Sequence, residues 1–169
     1  FTSSDIDDVW ESVGATSGKT FFSQSHRLIR DRDFFIIDEL EYISSQDGVY
    51  YIDRDDSIVT VPINMSVDFK QAPVSIIKSS NYLFVDADKL TFPLTLRKWQ
   101  KGDWFVPFGM MGKKKLSDFF SDQKFSLKDK EDVWILASGD DVVWIVGHRS
   151  DNRFRISDET KSVLIVHIK

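Results

Sequence analysis

Short runs of hydrophobic residues, separated by polar or glycine-containing turns, make up most of the chain. Runs of this length are typical of antiparallel strands that bury one face. In the first half they predict strands at residues 20–23, 27–29, 34–37, 42–43, 49–52, 58–63, 74–77 and 82–85. The N-terminal segment differs, because its apolar residues have the helical spacing i, i+3, i+4, i+7. That spacing predicts a short helix, ended by Gly14, with the apolar stripe Ile6, Val9, Trp10 and Val13.

The second half has the same strand pattern and one helix. Three apolar residues share a helical face, namely Leu116, Phe119 and Phe120, and they predict a helix over about residues 114–122. Gly139-Asp140-Asp141 lies between two apolar runs and predicts a hairpin turn. The predicted strands of this half cover residues 133–136, 142–146, 153–156 and 163–168. We therefore expect an α+β fold, β-dominant, with short antiparallel strands and few short helices.

The composition is that of an ordinary globular chain. Of its 169 residues, 41 % are hydrophobic and 29 % are charged, which allows one fair-sized domain or two small ones. The chain has no cysteine, so a disulfide framework, a thiolate metal site and a cysteine nucleophile are excluded. This fits a reducing compartment, and we expect the cytoplasm. The apolar runs, such as residues 142–146, are far shorter than the roughly 20 residues of a membrane span, so we expect no membrane partner.

Charge is distributed unevenly along the chain. Residues 1–90 contain 8 Lys and Arg against 16 Asp and Glu, whereas residues 91–169 contain 14 against 11. The two halves are therefore −8 and +3, and residues 97–130, with nine basic and four acidic residues, are +5. An anionic partner is expected to dock on this basic segment. The change of sign predicts an acidic linker or substrate-side region at residues 1–88 and a second domain at residues 89–169.

Two motifs resemble nucleotide-binding loops but lack required features. Gly14 to Thr20 ends like a P-loop, yet three residues separate its glycines where a P-loop has four. It also follows a predicted helix and leads into a predicted strand, the reverse of a P-loop. Ser138-Gly139-Asp140-Asp141 lacks the second glycine and final serine of a pyrophosphatase loop, and a hairpin turn explains it better. The three histidines show no paired spacing, and we predict no catalytic residue and no metal ligand in this chain.

Basic residues concentrate in three segments that suit an anionic partner. Arg97 and Lys98 belong to the first. In the second, Gly109 and Gly112 permit a tight loop before the predicted helix. Ammonium groups and helix N–H groups converge there on a phosphate, and the ammonium groups belong to Lys113, Lys114 and Lys115. In the third, guanidinium groups suit bidentate phosphate contact or base-edge recognition, and they belong to Arg149, Arg153 and Arg155.

Each of these residues also has a plainer explanation. The basic segments are equally compatible with solvated surface charge. Arg149 or Arg153 is as well suited to a structural ion pair, for which the acidic candidates are Asp103, Asp118 and Asp151. Trp99 and Trp104 lie within the basic segment of residues 97–130, where each either stacks on a base or ribose or packs into the core.

A succession of motifs in the second half resembles the C-terminal region of bacterial tRNA(Ile)-lysidine synthases. The similarity extends from about Val85 to the end, and a weaker one reaches back through Gly18-Lys19 and Ser25-His26-Arg27-Leu28. No single motif suffices, but their order and spacing are specific. The motifs are Asp86-Ala87-Asp88-Lys89-Leu90, Pro93-Leu94-Thr95-Leu96-Arg97, Gly102-Asp103-Trp104-Phe105-Val106-Pro107-Phe108-Gly109-Met110, Gly112-Lys113-Lys114-Lys115-Leu116-Ser117-Asp118-Phe119-Phe120 and Gly147-His148-Arg149-Ser150-Asp151-Asn152-Arg153-Phe154.

The resemblance implies a fold shared with a domain of the phenylalanyl-tRNA synthetase β subunit. It also implies a parent enzyme that uses ATP and Mg²⁺ to join L-lysine to the wobble cytidine of an isoleucine tRNA, so that the tRNA reads AUA. That reaction belongs to an N-terminal pyrophosphatase-type domain whose Ser-Gly-Gly-x-Asp-Ser loop is absent from this sequence. Since the chain begins at Phe1 rather than Met, we interpret it as a fragment that is not catalytic alone.

For this part of the family, the resemblance implies recognition of the tRNA on its acceptor-stem side. The tRNA-binding residues then expected are Arg97, Lys98, Lys113, Lys114, Lys115, Arg149, Arg153 and Arg155, with Trp99 and Trp104 as candidates for stacking. The rival hypothesis is a non-enzymatic protein-interaction or self-association module, including a homodimer.

Overall fold

The computed structural model describes residues 1, 3–14, 17–40 and 48–169, which form two compact units. The strand predicted at residues 42–43 lies outside the described residues. None of the helices in the described ranges is long and apolar enough to cross a membrane.

Unit 1 comprises residues 1–48 and 120–132 and contains a three-stranded antiparallel sheet with short helices. Helix α1 spans Ser3–Glu11 and continues as a 3₁₀ turn at Ser12–Gly14, in agreement with the helical spacing of this segment. The strands lie side by side in sequence order; β1, β2 and β3 cover Thr20–Phe22, His26–Asp31 and Phe34–Glu39. Two further helices follow later in the chain, α2 at Leu116–Asp122, which crosses the limit between the units, and α3 at Leu127–Asp132 within unit 1.

Unit 2 comprises residues 49–119 and 133–169 and consists of two antiparallel sheets and a hairpin. Strands β4 to β14 cover Tyr50–Ile52, Ile58–Val59, Met65–Gln71, Tyr82–Asp86, Leu94–Lys98, Trp104–Phe105, Lys114–Lys115, Trp134–Ser138, Asp141–Ile145, Arg149–Ser150 and Ser162–Ile168. The five-stranded sheet has the order β13-β12-β11-β8-β4, and the four-stranded sheet has the order β5-β6-β14-β7. Strands β9 and β10 pair only with each other among the described strands.

The two sheets of unit 2 share one hydrophobic core. On β8, Leu94 and Leu96 are fully buried, whereas Arg97 points to the half-exposed side of the strand. Leu164 and Val166 of β14 join the same cluster from the other sheet. Full burial of such a side chain contributes about 1.5 to 3 kcal/mol. A slip of one residue would turn β8 over, so the core also fixes which side chains of β8 face solvent.

The predicted fold class is confirmed, because the described residues form short antiparallel strands with few short helices. Two predicted strands are wrong. Residues 74–77 pair with no strand of the described residues, and Ile76 and Ile77 are exposed there. The strand predicted at residues 153–156 is replaced at its start by a 3₁₀ turn at Asn152–Phe154. The Asp151 carboxylate caps this turn, because it accepts a hydrogen bond from the Arg153 N–H at 2.7 Å.

Among the described residues, the residue pattern missed one helix, α3, and five strands, namely β6, β8, β9, β10 and β13. Strand β6 alternates apolar and polar residues over its first six positions, but we predicted no strand there. Strand β8 ends in Arg97 and Lys98, which we interpreted only as the start of a basic segment. Helix α3 has the sequence Leu-Lys-Asp-Lys-Glu-Asp and therefore lacks an apolar stripe.

Strands from both sides of residue 88 pair with each other in unit 2. Strand β4 pairs with β8, and β7 pairs with β14, so residues 49–86 belong to the same sheets as residues 94–168. The separate roles assigned to residues 1–88 and 89–169 stay a prediction.

A largely buried ion network attaches helix α3 to the sheet of unit 1. Arg27 of β2 lies opposite Asp38 of β3 and donates to its carboxylate at 3.0 Å. The same guanidinium donates to Glu131 of α3 at 2.9 Å, and the Lys128 ammonium lies 3.1 Å from Asp38. Burial raises the pKa of Asp38, but the hydrogen bonds and charges of Arg27 and Lys128 together outweigh burial and hold this pKa below its ordinary value of 3.8. Charge pairing thus takes the place of an apolar stripe on α3.

Replacement of Asp38 by Asn is expected to lower the free energy of unfolding by about 3 kcal/mol near neutral pH, because two cations lose a buried partner. Since the folded-state pKa of Asp38 lies below its unfolded value, the ionised carboxylate stabilises the wild type above about pH 4. That stabilisation is lost as the pH falls through the folded-state pKa, so the difference between the two proteins should shrink in acid. Urea unfolding over a pH series measures this difference.

The matched control is Asp33→Asn, which removes an exposed carboxylate from the turn between β2 and β3. It should change the free energy of unfolding by less than about 0.5 kcal/mol. A deficit of Asp38→Asn that stays constant from neutral to acid pH would contradict the ion network.

Candidate nucleic-acid interface

Residues 104–115 of unit 2 form a hairpin, which we call the basic hairpin. Its strands β9 and β10 place Trp104 opposite Lys115. Phe105 is fully buried and makes an edge-to-face contact with Phe119, so the base of the hairpin belongs to the core. Met111 near the tip is 93 % exposed. Gly109 has a φ of 84°, which permits the loop to turn between the two strands.

The three lysines of the basic hairpin precede helix α2, which corrects the predicted helix start. Lys113 lies in the loop and the next two lysines form β10, whereas α2 begins at Leu116. The Leu116 N–H donates to the Asp103 carbonyl at 2.9 Å, so this donor already has a partner. Pairing with β9 holds the lysine segment extended. Any phosphate contact therefore depends on the ammonium groups and not on a helix terminus.

The carboxylate of Asp151 attaches the basic hairpin to the third basic segment, residues 148–155. Asp151 is fully buried, with 0 % of its surface exposed. Its Oδ2 accepts from the Val106 N–H at 2.9 Å. The Arg153 guanidinium donates to both carboxylate oxygens at 2.8 to 3.1 Å. Hydrogen bonds from a strand and a neighbouring cation thus compensate the removal of this charge from water.

Further hydrogen bonds continue this attachment along the hairpin. The Phe108 N–H donates to the Ser150 carbonyl at 2.9 Å, and the Gly109 N–H donates to Oδ1 of Asn152 at 3.1 Å. The Arg149 guanidinium donates to the Phe108 carbonyl at 2.7 Å, across 41 positions of sequence. Two basic segments that are distant in the sequence therefore form one surface, which we call the joined basic surface.

Trp104 gathers two cations of the joined basic surface. The Lys113 ammonium lies 3.9 Å from the centroid of its ring, and the guanidinium carbon of Arg153 lies 4.5 Å from it. Cation–π contacts of this kind contribute about 0.5 to 2 kcal/mol each. The indole thereby holds in place two residues that we predicted separately as phosphate contacts. Stacking of a base on Trp104 stays a prediction.

Arg153 makes one of the ion pairs that the sequence left open. It pairs with Asp151, and it also donates to the exposed carboxylate of Asp141 at 2.7 Å. Hydrogen bonding to Asp151 raises the pKa of Arg153 and outweighs the opposing effect of burial. Arg153 is therefore a cation of fixed position at the edge of the joined basic surface.

Arg97 is also held by an acidic partner. Its guanidinium makes two parallel hydrogen bonds to Asp103, at 2.8 and 2.9 Å, and a third to the Lys98 carbonyl at 3.0 Å. Asp103 accepts as well from the Gln100 N–H at 2.7 Å, so the pair closes the turn that leads into β9. Arg97 thus shapes the approach to the basic hairpin. A direct phosphate contact by Arg97 stays a prediction.

The other predicted residues lie on or after the strands of unit 2. The Lys98 ammonium lies 4.2 Å from the ring centroid of Trp134, its cross-strand neighbour on β11. Trp99 follows β8 directly and is half-buried. Arg155 is exposed, and its carbonyl accepts from the Lys89 ammonium at 3.0 Å. Their part in binding stays a prediction.

The joined basic surface suits electrostatic binding and positioning of an anion. It presents ammonium groups from the hairpin together with two guanidinium groups, of which Arg153 is held by carboxylates and Arg149 by the Phe108 carbonyl. No group of three or more His, Asp or Glu side chains that would hold a metal occurs among the described residues. Sequence reasoning missed Phe108, which is 50 % exposed and accepts the hydrogen bond of Arg149. An aromatic residue within a loop of glycine and lysine was the signal available for it.

Family models match both ends of the chain. The TilS substrate binding domain matches residues 1–40, and the TilS substrate C-terminal domain matches residues 94–167. Two curated relatives align with 99 % of the chain each: the tRNA(Ile)-lysidine synthases of Parabacteroides distasonis, at 47 % identity, and of Bacteroides thetaiotaomicron, at 38 %. The chain spans 38 % and 37 % of the length of these relatives.

A solved structure has a similar fold. The crystal structure of a TilS C-terminal domain superimposes with a TM-score of 0.60 and covers 71 % of this chain and 95 % of that one. At 18 % sequence identity, this likeness shows the fold alone. The likeness to a domain of phenylalanyl-tRNA synthetase stays a prediction.

Replacement of Asp151 by Asn is expected to lower the free energy of unfolding by about 3 kcal/mol, because Arg153 loses its buried counter-charge. The matched control is Asp141→Asn, which removes the exposed carboxylate bound to the same guanidinium and should cost less than about 1 kcal/mol. Urea unfolding followed by tryptophan fluorescence compares the two variants. Equal losses would mean that Asp151 does not hold the hairpin as its hydrogen bonds indicate.

Proposed function

Because this chain belongs to the tRNA(Ile)-lysidine synthase family, we propose that it binds the tRNA substrate of such an enzyme on the acceptor-stem side. The observation that supports this proposal most directly is the joined basic surface, in which two distant basic segments are held together by a buried carboxylate. In this proposal the chain recognises and positions the tRNA and does not catalyse the reaction.

A double-stranded RNA stem suits this surface. A-form RNA is recognised mostly through its shape, its phosphates and its 2′-hydroxyl groups. Such recognition needs Lys and Arg side chains on a rigid support, which the hydrogen bonds between the hairpin and residues 148–155 supply. The chain as a whole has a net charge of −5 and repels polyanions. Attraction is therefore confined to the basic surface, which also orients the RNA.

The basic residues divide into two groups by their partners. We assign direct phosphate contact to the lysines of the hairpin and to Arg149, whose guanidinium uses one of its five donors on the Phe108 carbonyl. Arg97 and Arg153 each bind a carboxylate at 2.8 Å and hold the turns that present the others. Lys98, Arg155, Trp99 and Trp104 complete the proposed surface at its margins.

We assign the chemistry to the longer protein, as an ATP-dependent ligase that joins L-lysine to the wobble cytidine of an isoleucine tRNA in the cytoplasm. Mg²⁺ and ATP belong, in this proposal, to the part of the longer protein outside this chain. In the glycine-containing segment, the Gly18 N–H donates to the Arg30 carbonyl at 2.7 Å, as a strand partner does. Residues 15 and 16 of that segment lie outside the described part of the chain.

Exposed apolar side chains in unit 1 favour a second role in protein contact. Phe35 and Ile37 of β3 are both exposed and, two residues apart on a strand, lie on the same face of the sheet. Neighbouring large apolar side chains that are exposed on one face are typical of a surface that another protein covers. A second copy of this chain, giving a homodimer, or another part of the longer protein fits this surface.

Replacement of Lys113, Lys114 and Lys115 by Ala is expected to weaken binding of isoleucine tRNA and to flatten its salt dependence. Each lysine that neutralises a phosphate contributes about 0.7 to 0.9 to the slope of log K against log salt concentration. The slope should therefore fall by about 2 to 3. Fluorescence anisotropy with labelled tRNA across a salt series measures it.

The matched control replaces Lys70, Lys161 and Lys169 by Ala, which removes the same charge from β6 and from the two ends of β14. It should leave the slope nearly unchanged. An equal loss of tRNA affinity in both triple variants would show that the effect arises from net charge and not from the hairpin lysines. A wild-type chain that binds no tRNA at low salt would support protein contact as its role instead.

The chain alone is expected to add no lysine to tRNA, because the Ser-Gly-Gly-x-Asp-Ser loop to which the family resemblance assigns the reaction is absent from its sequence. Isoleucine tRNA, ATP, Mg²⁺ and radiolabelled lysine, incubated with the chain, should give no labelled RNA. The positive control is the full-length synthase of a relative under the same conditions. Incorporation by the chain alone would overturn the separation of binding from chemistry.

A further inference from the structure

A cleft of about 410 Å³ opens in unit 2 beside the basic hairpin. One wall is the irregular segment before β7, with Ile76, Ile77 and Lys78. The other wall contains Phe108 of the hairpin and Arg149 of β13. The cleft therefore adjoins the joined basic surface through the residue pair Phe108 and Arg149. Its volume is in the range of small-molecule sites, about 300 to 1,000 Å³.

The floor of the cleft is aromatic, and a residue of the neighbouring strand stacks against it. Tyr82 and Phe84 line it, with stacked rings 6.0 Å apart. Tyr82 also stacks on His167 of β14 with ring centroids 4.0 Å apart and an interplanar angle of 9°. Trp144, which also lines the cleft, is almost fully buried. The floor thus offers flat apolar surface whose position is fixed by the four-stranded sheet.

The cleft is lined by two cations. These are Lys78 and Arg149, with His148 beside Arg149 in the sequence, and among the described lining residues none is an Asp or Glu. The hydrogen bond from Arg149 to the Phe108 carbonyl, at 2.7 Å, fixes the guanidinium at the cleft. The Phe108 side chain is half exposed beside it. A flat apolar floor together with two cations matches a ligand that joins a planar ring to a phosphate.

We propose that this cleft binds an unpaired nucleotide of the tRNA, with the base against Phe108 and the aromatic floor and the phosphate at Arg149 and Lys78. This inference rests on the proposed function, because the RNA is the partner of the adjoining basic surface. Bases of single strands stack on aromatic side chains, whereas paired bases are not available for it. The unpaired 3′ end of a tRNA follows directly from its acceptor stem, so a stem on the hairpin delivers such a nucleotide to the cleft.

The test uses the single-stranded trinucleotide CCA with a 5′-phosphate and titrates it into the whole chain by calorimetry. Phe108→Ala should weaken its binding about 5- to 150-fold, the range found for loss of one base-stacking aromatic. Met111→Ala removes an exposed apolar residue of the same hairpin that does not line the cleft, and it should have no effect. Equal losses in the two variants would overturn the proposal.

A second pair of variants tests the phosphate contact. Lys78→Ala should weaken the trinucleotide and reduce its salt slope by about 1, while Lys161→Ala, at an exposed lysine before β14, should not. Ribose 5-phosphate, which carries the phosphate without a base, should bind far more weakly than the trinucleotide. Equal affinity for the two ligands would show a general anion site and would overturn the assignment of a base.

The outcomes also separate this inference from the proposed function. Phe108→Ala should weaken binding of an intact tRNA but not of the same tRNA without its unpaired 3′ nucleotides. Trinucleotide binding without tRNA binding would support the cleft and contradict the tRNA role of the hairpin. Binding of tRNA with no detectable binding of the trinucleotide would overturn the cleft and leave the hairpin proposal intact.

Discussion

The buried carboxylate of Asp151 is the contact on which the geometry of the basic surface depends. A fully buried charge is stable only where hydrogen bonds and a counter-charge replace water. The Val106 N–H supplies a hydrogen bond to Asp151, and Arg153 supplies the counter-charge. Arg153 also binds the carboxylate of Asp141, but Asp141 is exposed and contacts the guanidinium only at Nη1. This group, together with the hydrogen bonds of Phe108, Gly109 and Arg149, sets the position of the basic hairpin relative to residues 148–155. A hydrophobic residue of similar size would leave the Val106 N–H without its acceptor and Arg153 with only the exposed carboxylate of Asp141.

Acidic residues elsewhere in the chain also hold basic ones in place. Asp103 binds Arg97 with two parallel hydrogen bonds, and Asp38 shares Arg27 with Glu131 in unit 1. The net charge of +5 for the segment from 97 to 130 overstates the charge available to a ligand, since Lys128 of that segment pairs with Asp38, which lies outside it. Arginine suits these pairs because its planar donors match a carboxylate, whereas the hairpin lysines keep flexible stems. In the proposed function, the cations that build the surface are thus distinct from those that contact the RNA.

The sequence predicted the fold class and the helix α1 region, because both depend on local spacing that short-range rules describe. It also singled out the two basic segments that the fold brings together. It did not show that these segments meet, since that contact joins Arg149 and Phe108 across 41 positions. It predicted a strand at 153–156, where Asp151 instead caps a 3₁₀ turn through its side chain. The apolar residues at 74–77 predicted another strand. The local sequence does not show whether a partner strand lies beside them, and none does among the described residues.

The joined basic surface and the cleft suit different parts of an RNA. Because they are adjacent, the two together select a combination of a stem and an unpaired nucleotide that neither selects alone. Lysines that meet phosphates bind any double-stranded RNA with little dependence on sequence. An aromatic cleft accepts an unpaired base from any single strand. Phe108 and Arg149 belong to both, because Arg149 binds the backbone of the hairpin while the Phe108 ring lines the cleft. Only an RNA in which a stem ends beside unpaired nucleotides satisfies both sites at once. The end of an acceptor stem has this form, whereas a continuous duplex or a free strand satisfies one site and leaves the other empty.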